Sequence, residues 1–216
     1  MTGPRRVLLA SRNPGKLAEL RRIIAAHADR VELVGLAELP DYPEVPEIGL
    51  TFAENALAKA REGVRRTGLP TVADDSGLTV DALGGAPGVF SARWAGRHGD
   101  DQANLRLLLD QLSDLPDGHR GAAFVCAAAL VLPGGGEHVV EGRQAGVLTR
   151  TPRGSGGFGY DPIFVGEGQT RTNAELSPPE KDAISHRGQA FRAVARLLTR
   201  VLPALSQAGA PDQAQA

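Results

Sequence analysis

Apolar and polar positions along the chain switch repeatedly between a strand-like and a helix-like period. Val7-Leu8-Leu9-Ala10 is a continuous apolar run, the pattern of a strand buried on both faces. Asn13 then offers an N-cap and Pro14 a tolerated first helical residue. Leu17, Leu20, Ile24 and Ala28 follow at helical spacing, with Lys16, Glu19, Arg21 and Arg22 on other faces. Val31 to Leu36 predicts a second strand. Pro40, Pro43 and Pro46 then forbid regular structure, so this stretch reads as an extended loop carrying Glu44 and Glu47. Thr51-Phe-Ala-Glu54 is a capping box, and Ala53, Ala56, Leu57, Ala60 and Val64 predict a helix ending near Gly68.

A short apolar approach, Thr71 to Ala73, next delivers Asp74 and Asp75 to the expected end of a strand. Ser76-Gly77, the alternation of Leu78 and Val80, and a turn built on Gly84-Gly85 and Pro87-Gly88 follow. Leu105, Leu108, Leu109 and Leu112 mark a helix capped by Asp100 or Asp101. Residues 122–132 and 137–148, separated by Pro133 and three glycines, predict a long hairpin protruding from the core as a second lobe or partner surface. Four glycines lie in residues 154–159, just before Tyr160. Ser177-Pro-Pro-Glu180 is another capping box, opening a short helix broken at residues 185–188. Phe191, Val194, Ala195, Leu198 and Val201 line a last helix. From Pro203 on, the Ala, Gln and Pro-rich residues have no periodic core and predict a disordered tail, 203–216, behind a single domain, 1–202.

Composition narrows the function. Charged residues make up 23% of the chain with a formal net charge of −1, so no global basic field is present to hold a nucleic acid polymer or an anionic membrane. No run approaches a membrane span, and the apolar stretch near the N-terminus is too short for a signal-peptide core. The lone cysteine, Cys126, sits in an apolar run, which excludes an intrachain disulfide and points to a reducing cytoplasm.

Three stretches carry candidate chemistry. Asp74 and Asp75 alternate faces, so one can point into a cleft and join a hard cation such as Mg²⁺, while the other is held by backbone donors or solvent. Turn chemistry alone is the competing reading of Asp-Asp-Ser-Gly. The strand, loop and helix over Ser11 to Lys16 offer free N–H groups and positive dipole to an anion, although a plain capped helix has the same sequence. A P-loop is excluded, because Ala10 and Leu17 stand where it needs a glycine and a Ser or Thr. In GSGGFGYDPIF, glycines allow close backbone approach to a ligand and Phe158 or Tyr160 could stack on a base; a tight turn anchored by core aromatics is the alternative. Lys59 on its helix reads from spacing as a surface lysine.

Taken together and in this order, SRNPGKLAEL, TFAENALAKA, ADDSGL with LGGAPGVFSARW, GGFGYDPIF and EKDAISHRGQA strongly resemble the inosine/xanthosine triphosphate pyrophosphatase family, over about residues 6–200. The resemblance implies an elongated α/β fold with a mixed sheet flanked by helices, two lobes and a central substrate cleft, usually as a homodimer. It also implies Mg²⁺-dependent hydrolysis of ITP, dITP or XTP to the nucleoside monophosphate and pyrophosphate. Carried over residue by residue, Ser11, Arg12, Asn13, Pro14, Gly15 and Lys16 would grip the triphosphate, with Asn13 and Lys16 as main contacts. Glu47 and Asp75 would hold the metal, and Asp75 would also accept the proton of the attacking water. Lys16 and Lys59 would supply positive charge, and Ser76 would touch substrate. Phe158, Gly159, Tyr160, Asp161, Lys181, His186 and Arg187 would form the nucleobase pocket, with donors from Lys181, Arg187 and His186 favouring a 6-oxo group over adenine's amino group. A pyrophosphatase of other base preference, or a non-catalytic purine nucleotide-binding module, are the competing readings. Asp74 as a second metal ligand, and Glu44 in place of Glu47, stay open.

Overall fold

The computed structural model describes residues 5–27, 31–39, 43 and 45–208. In chain order its elements are β1 (Arg5–Leu9), α1 (Pro14–His27), β2 (Val31–Gly35), α2 (Phe52–Thr67), β3 (Thr71–Val80), α3 (Asp101–Gln111), β4 (Gly121–Val131), β5 (Glu137–Leu148), β6 (Phe164–Gly166), α4 (Pro178–Ile184) and α5 (His186–Ala208). One mixed sheet takes the order β2-β1-β3-β4-β5-β6. β2, β1 and β3 are parallel, and β3 through β6 are antiparallel. The architecture is therefore α/β, as the alternating periods imply. Among the described residues no helix is long and apolar enough to cross a membrane.

Local chemistry explains most boundaries. Asn13 Oδ1 accepts from the amides of Gly15 and Lys16, capping α1. Thr51 accepts from Glu54 N while Glu54 reaches back, and Gly68 at φ 66° closes α2 in the left-handed region. Asp100, rather than Asp101, caps α3 through Ala103 N. Packing completes the picture. Leu20, Ile24, Val72, Leu130, Phe191 and Leu198 close one face beneath α1 and α5, and Ala56, Ala60, Ala73 and Ala129 seat α2 on the other. A third cluster around Leu78, Leu108, Phe124 and Phe164 supports the α3 end. β4 is alanine-rich, which lets helices approach it closely from both sides.

Three expectations are corrected. Asp74 and Asp75 lie in the middle of β3, not at its end, because pairing with β4 carries the strand on to Val80 opposite Ala122. The 121–148 hairpin does not protrude: β4 is hydrogen-bonded to β3 on one edge and β5 on the other, and it forms the centre of the sheet. The break between α4 and α5 is Ser185 alone, with His186 already helical. In addition, α5 continues through Pro203 to Ala208, while the rest of the expected tail, 209–216, lies outside the described residues. Ala28, Pro40 and Glu44 also lie outside them.

Candidate active site

The site forms where the two halves of the sheet part company. β1 pairs with β3 only at Leu8 with Thr71 and Leu9 with Val72, then turns into the loop that starts α1. β3 runs on without it, so Asp74, Asp75 and Ser76 lie beyond the carboxyl end of a parallel strand, beside the N-terminus of a helix. This is where open α/β sheets place ligands. A cavity of about 470 Å³ opens there.

Strand alternation sends the two adjacent acids to opposite faces. Asp74 faces α1 and α5: Lys16 Nζ lies 2.8 Å and Arg187 Nε 3.5 Å from its Oδ2. Arg187 continues the network, donating to Glu19 Oε2 at 3.0 Å and to Ser76 Oγ at 3.0 Å. Burial pushes Asp74 upward, but Lys16, Arg187 and Lys59 outweigh it and hold the carboxyl well below its ordinary value. Asp74 is thus neither held by backbone donors nor left to solvent. Through Oδ2 it is the counter-ion of Lys16 and Arg187, while its Oδ1 is buried without a partner.

Asp75 faces α2. Asn55 donates to its Oδ2 at 3.0 Å, and Lys59 Nζ lies 3.2 Å from its Oδ1. The same ammonium is 3.0 Å from Glu47 Oε1. Lys59 is therefore not a surface lysine but the centre of a carboxylate pair. Burial and the charge of Glu47 raise the Asp75 pKa above the ordinary value, although Lys59 opposes them. Glu47 is shifted the other way: burial favours its neutral form, yet Lys59 and Arg93 hold it ionised.

The donor set here suits a hard divalent cation. Glu47 and Asp75 converge on one position, and the Lys59 ammonium between them stands in for the positive charge. Among the described residues no group of three His, Cys, Asp or Glu side chains is arranged around an ion. A metal seat here has two protein carboxylates and needs further oxygens from water and phosphate, as Mg²⁺ characteristically does.

A second, smaller cavity of about 90 Å³ adjoins the first and shares Ser76, Asp101, Phe158 and Arg187 with it. Phe158 is half exposed, with Lys181 Nζ 5.1 Å and the Arg187 guanidinium 5.3 Å from its ring centre. Asp161 knots the loop by accepting from Phe158 N at 2.9 Å and from Lys181 Nζ at 2.6 Å. Gly157, at φ 72°, is required there, since a Cβ would collide with the Asp161 carboxylate. His186 is buried and stacked on Phe124, ring centres 4.9 Å apart at 11°. Its Nδ1 has no hydrogen-bond partner. Burial, then Arg187 and Lys181, push its pKa well down, so the ring is neutral. The start of α5 reaches this wall because Gly142 of β5 has no side chain; a Cβ there would strike the His186 carbonyl.

Ser11, Arg12, Asn13 and Lys16 line the larger cavity with Glu47, Lys59 and Asp75. Gly159, Tyr160, Asp161, Lys181 and His186 line the smaller one. Gly15 lines neither, and Pro14 and Gly15 are the first residues of α1. Tyr160 turns inward: its hydroxyl donates to Ser91 O at 2.9 Å and its side chain belongs to the core. It is a loop anchor, not a stacking surface.

Sequence reading passed over Asn55, Glu19, Arg93 and Asp101. Asn55 and Lys59 are four apart, and Lys16 and Glu19 three apart, so helical spacing could have grouped them. Asp101 Oδ2 accepts from Gly159 N at 2.8 Å, tying α3 to the glycine loop. No local signal marks Arg93 or Asp101.

Comparison with known proteins gives the family and the fold. The model of the Ham1 family matches residues 7–197. The dITP/XTP pyrophosphatase of Streptomyces avermitilis is 61% identical over 197 residues, covering 91% of this chain and 98% of that protein. That of Frankia alni is 63% identical, with 91% and 98% coverage. Among solved structures, the nucleoside-triphosphatase or dITP/XTP pyrophosphatase of Mycobacterium abscessus superposes with a TM-score of 0.73 at 63% identity, over 88% of this chain and 98% of that one. The Staphylococcus aureus Ham1 protein gives 0.81 at 37% identity, over 90% and 98%.

Proposed function

The chain belongs to the Ham1 family, and from that membership and the geometry of its two cavities we propose that it hydrolyses ITP, dITP and XTP to the nucleoside monophosphate and pyrophosphate. The observation that carries the reading is the division of the site: a large charge-lined cavity holds the first half of the motif set and a small aromatic slot holds the second. A triphosphate needs the first and a purine needs the second.

In this reading the triphosphate lies across the loop Ser11 to Lys16, where the helix dipole and the Lys16 ammonium meet it. Asp74 aims Lys16 before substrate arrives, so little reorganisation is needed on binding. Asp75 accepts the proton of the attacking water, kept ionised for that role by Lys59 and by the cation it would share with Glu47. Asn55 fixes the carboxylate's orientation through Oδ2, and Lys59 holds Oδ1. Lys59, paired with Asp75 and Glu47 before substrate arrives, would turn its charge to the phosphates. Mg²⁺ held by Glu47 and Asp75 would offset the phosphate charge and polarise the anhydride. On the base side Phe158 offers a stacking face, and the Lys181 ammonium offers a donor to the purine edge. Lys181 is held by Asp161 within reach of the same slot. The relatives' printed names support this substrate class. A homodimer and a cytoplasmic location complete the proposal.

Product analysis tests it. ITP, dITP, XTP, GTP and ATP are each incubated with and without Mg²⁺, and pyrophosphate is assayed separately from orthophosphate. Metal-dependent pyrophosphate with the oxopurine monophosphates, and little from ATP or GTP, is the expected result. Orthophosphate alone, or nucleotide binding without turnover, would overturn it.

A further inference from the structure

Glu47 stands on a stretch with little of its own to fix it. Residues 45–50 carry neither helix nor strand. Ile48 and Leu50 are each 86% exposed, so neither pins the segment to the core. Its C-terminal end is tied down by Asn55, which accepts from Gly49 N, and by Glu54, which accepts from Leu50 N. Glu47 itself is gripped by a residue far away in sequence. Arg93 NH1 lies 3.2 Å from Glu47 Oε2, and NH2 donates to the Glu47 carbonyl at 3.3 Å.

We infer that Arg93 is the positioning residue of the metal seat, holding Glu47 so that Oε1 faces Asp75. The inference rests on the reading of Glu47 and Asp75 as metal ligands. One guanidinium fork takes both the backbone and one carboxylate oxygen of the same residue, which fixes position and rotation together. A lysine cannot do this, since it presents a point charge. The anchor beneath Arg93 is firm: it ends the 3₁₀ segment Gly88–Arg93, whose Ser91 accepts from Leu78 N of β3 at 2.9 Å and donates to Gly88 O at 2.6 Å. The Phe90 ring, 5.3 Å from the Arg93 guanidinium, flanks it. The strand that carries Asp75 therefore also positions, through Ser91 and Arg93, the loop carboxylate that must meet it. Oε1, the oxygen left over, is the one bound to Lys59 between the two acids.

The test is Mn²⁺ binding to the full-length protein with inorganic imidotriphosphate present, read by electron paramagnetic resonance, so that no turnover is required. Arg93→Lys and Arg93→Met should each weaken Mn²⁺ by about tenfold or more, the size of loss usual when a ligand's supporting partner is removed. Neither should weaken it further in a Glu47→Gln background, because Arg93 acts only through Glu47. Turnover lost at low Mg²⁺ should return at saturating Mg²⁺. Unchanged Mn²⁺ affinity in both variants, an additional loss on top of Glu47→Gln, or no Mn²⁺ binding by the wild type would overturn the inference. Arg93→Lys retains charge and bulk, so it keeps the test open should Arg93→Met fold poorly. If the wild type cleaves no nucleotide yet the Mn²⁺ pattern holds, the hydrolase reading fails and the positioning role stands. Intact turnover with Mn²⁺ affinity indifferent to Arg93 gives the reverse.

Discussion

The two cavities share a wall but are built by opposite means. In the larger one almost every charge has met its partner: Lys16 with Asp74, Arg187 with Glu19 and Asp74, Lys59 with Glu47 and Asp75. In the smaller one the rings of Phe158 and Phe124 and a neutral His186 stand beside one local ion pair, Lys181 with Asp161. Paired charges can be exchanged for a metal and phosphates with the cavity's shape kept, whereas aromatic walls suit the flat face of a base. Chemistry and choice are thereby separated. The division predicts that substitutions on the charged side change the rate for every triphosphate alike, while those on the aromatic side change the ratio between bases.

The largest effect belongs to Asp75→Asn. It should lower kcat by about 10²- to 10⁴-fold, with nucleotide affinity from equilibrium binding still measurable. Unchanged turnover would remove Asp75 from the chemistry. Lys16→Met comes next, at about 10²-fold in kcat/KM, and the loss should be equal for XTP and ATP. An unequal loss would place Lys16 in base selection and blur the division.

His186 sharpens the comparison through pH. Its folded pKa lies below the unfolded value of about 6.5. Below that pH the unfolded chain takes up a proton that the folded chain refuses, so stability falls as pH drops, by at most about 1.4 kcal/mol per unit. Denaturant midpoints from pH 7.5 to 5.5 should decline, and less steeply in His186→Phe. The same slope in both would mean another group carries the effect. The smallest change is expected from Arg61→Ala, which breaks the exposed pair with Glu137; its melting temperature should reflect no more than about 0.5 kcal/mol.

Much of this was legible before any coordinates. Caps at Asn13, Thr51 and Asp100 mark helix starts through short-range hydrogen bonds, which a sequence displays directly. β3 was misread because two aspartates look like the end of a strand, and only the β4 ladder, distant in sequence, extends it past them. β4 was misplaced for a related reason: alternation reveals the strand it turns into, not the one that covers its other edge. The motifs brought together most of the residues that line the two cavities, though Glu47, His98, Asp101 and Phe124 lie outside them. What they could not display was the pairing among them, since Lys16 with Asp74 and Arg187 with Glu19 join opposite ends of the chain. Arg187 illustrates the limit, because its nitrogens already serve Asp74, Glu19 and Ser76 before any base arrives.

The division of labour is tested most directly by Phe158→Ala, assayed for Mg²⁺-dependent pyrophosphate release from XTP and from ATP beside the wild type. Loss of a base-stacking ring costs about 1–3 kcal/mol. Stacking alone is indifferent to the base, so the losses differ only because adenine, refused at its edge, does not seat on the ring. The account predicts that kcat/KM for XTP falls about tenfold or more, that for ATP far less, and that kcat for XTP at saturation stays within a few-fold of wild type. A proportional fall for both nucleotides, or an unaltered XTP to ATP ratio, would contradict it.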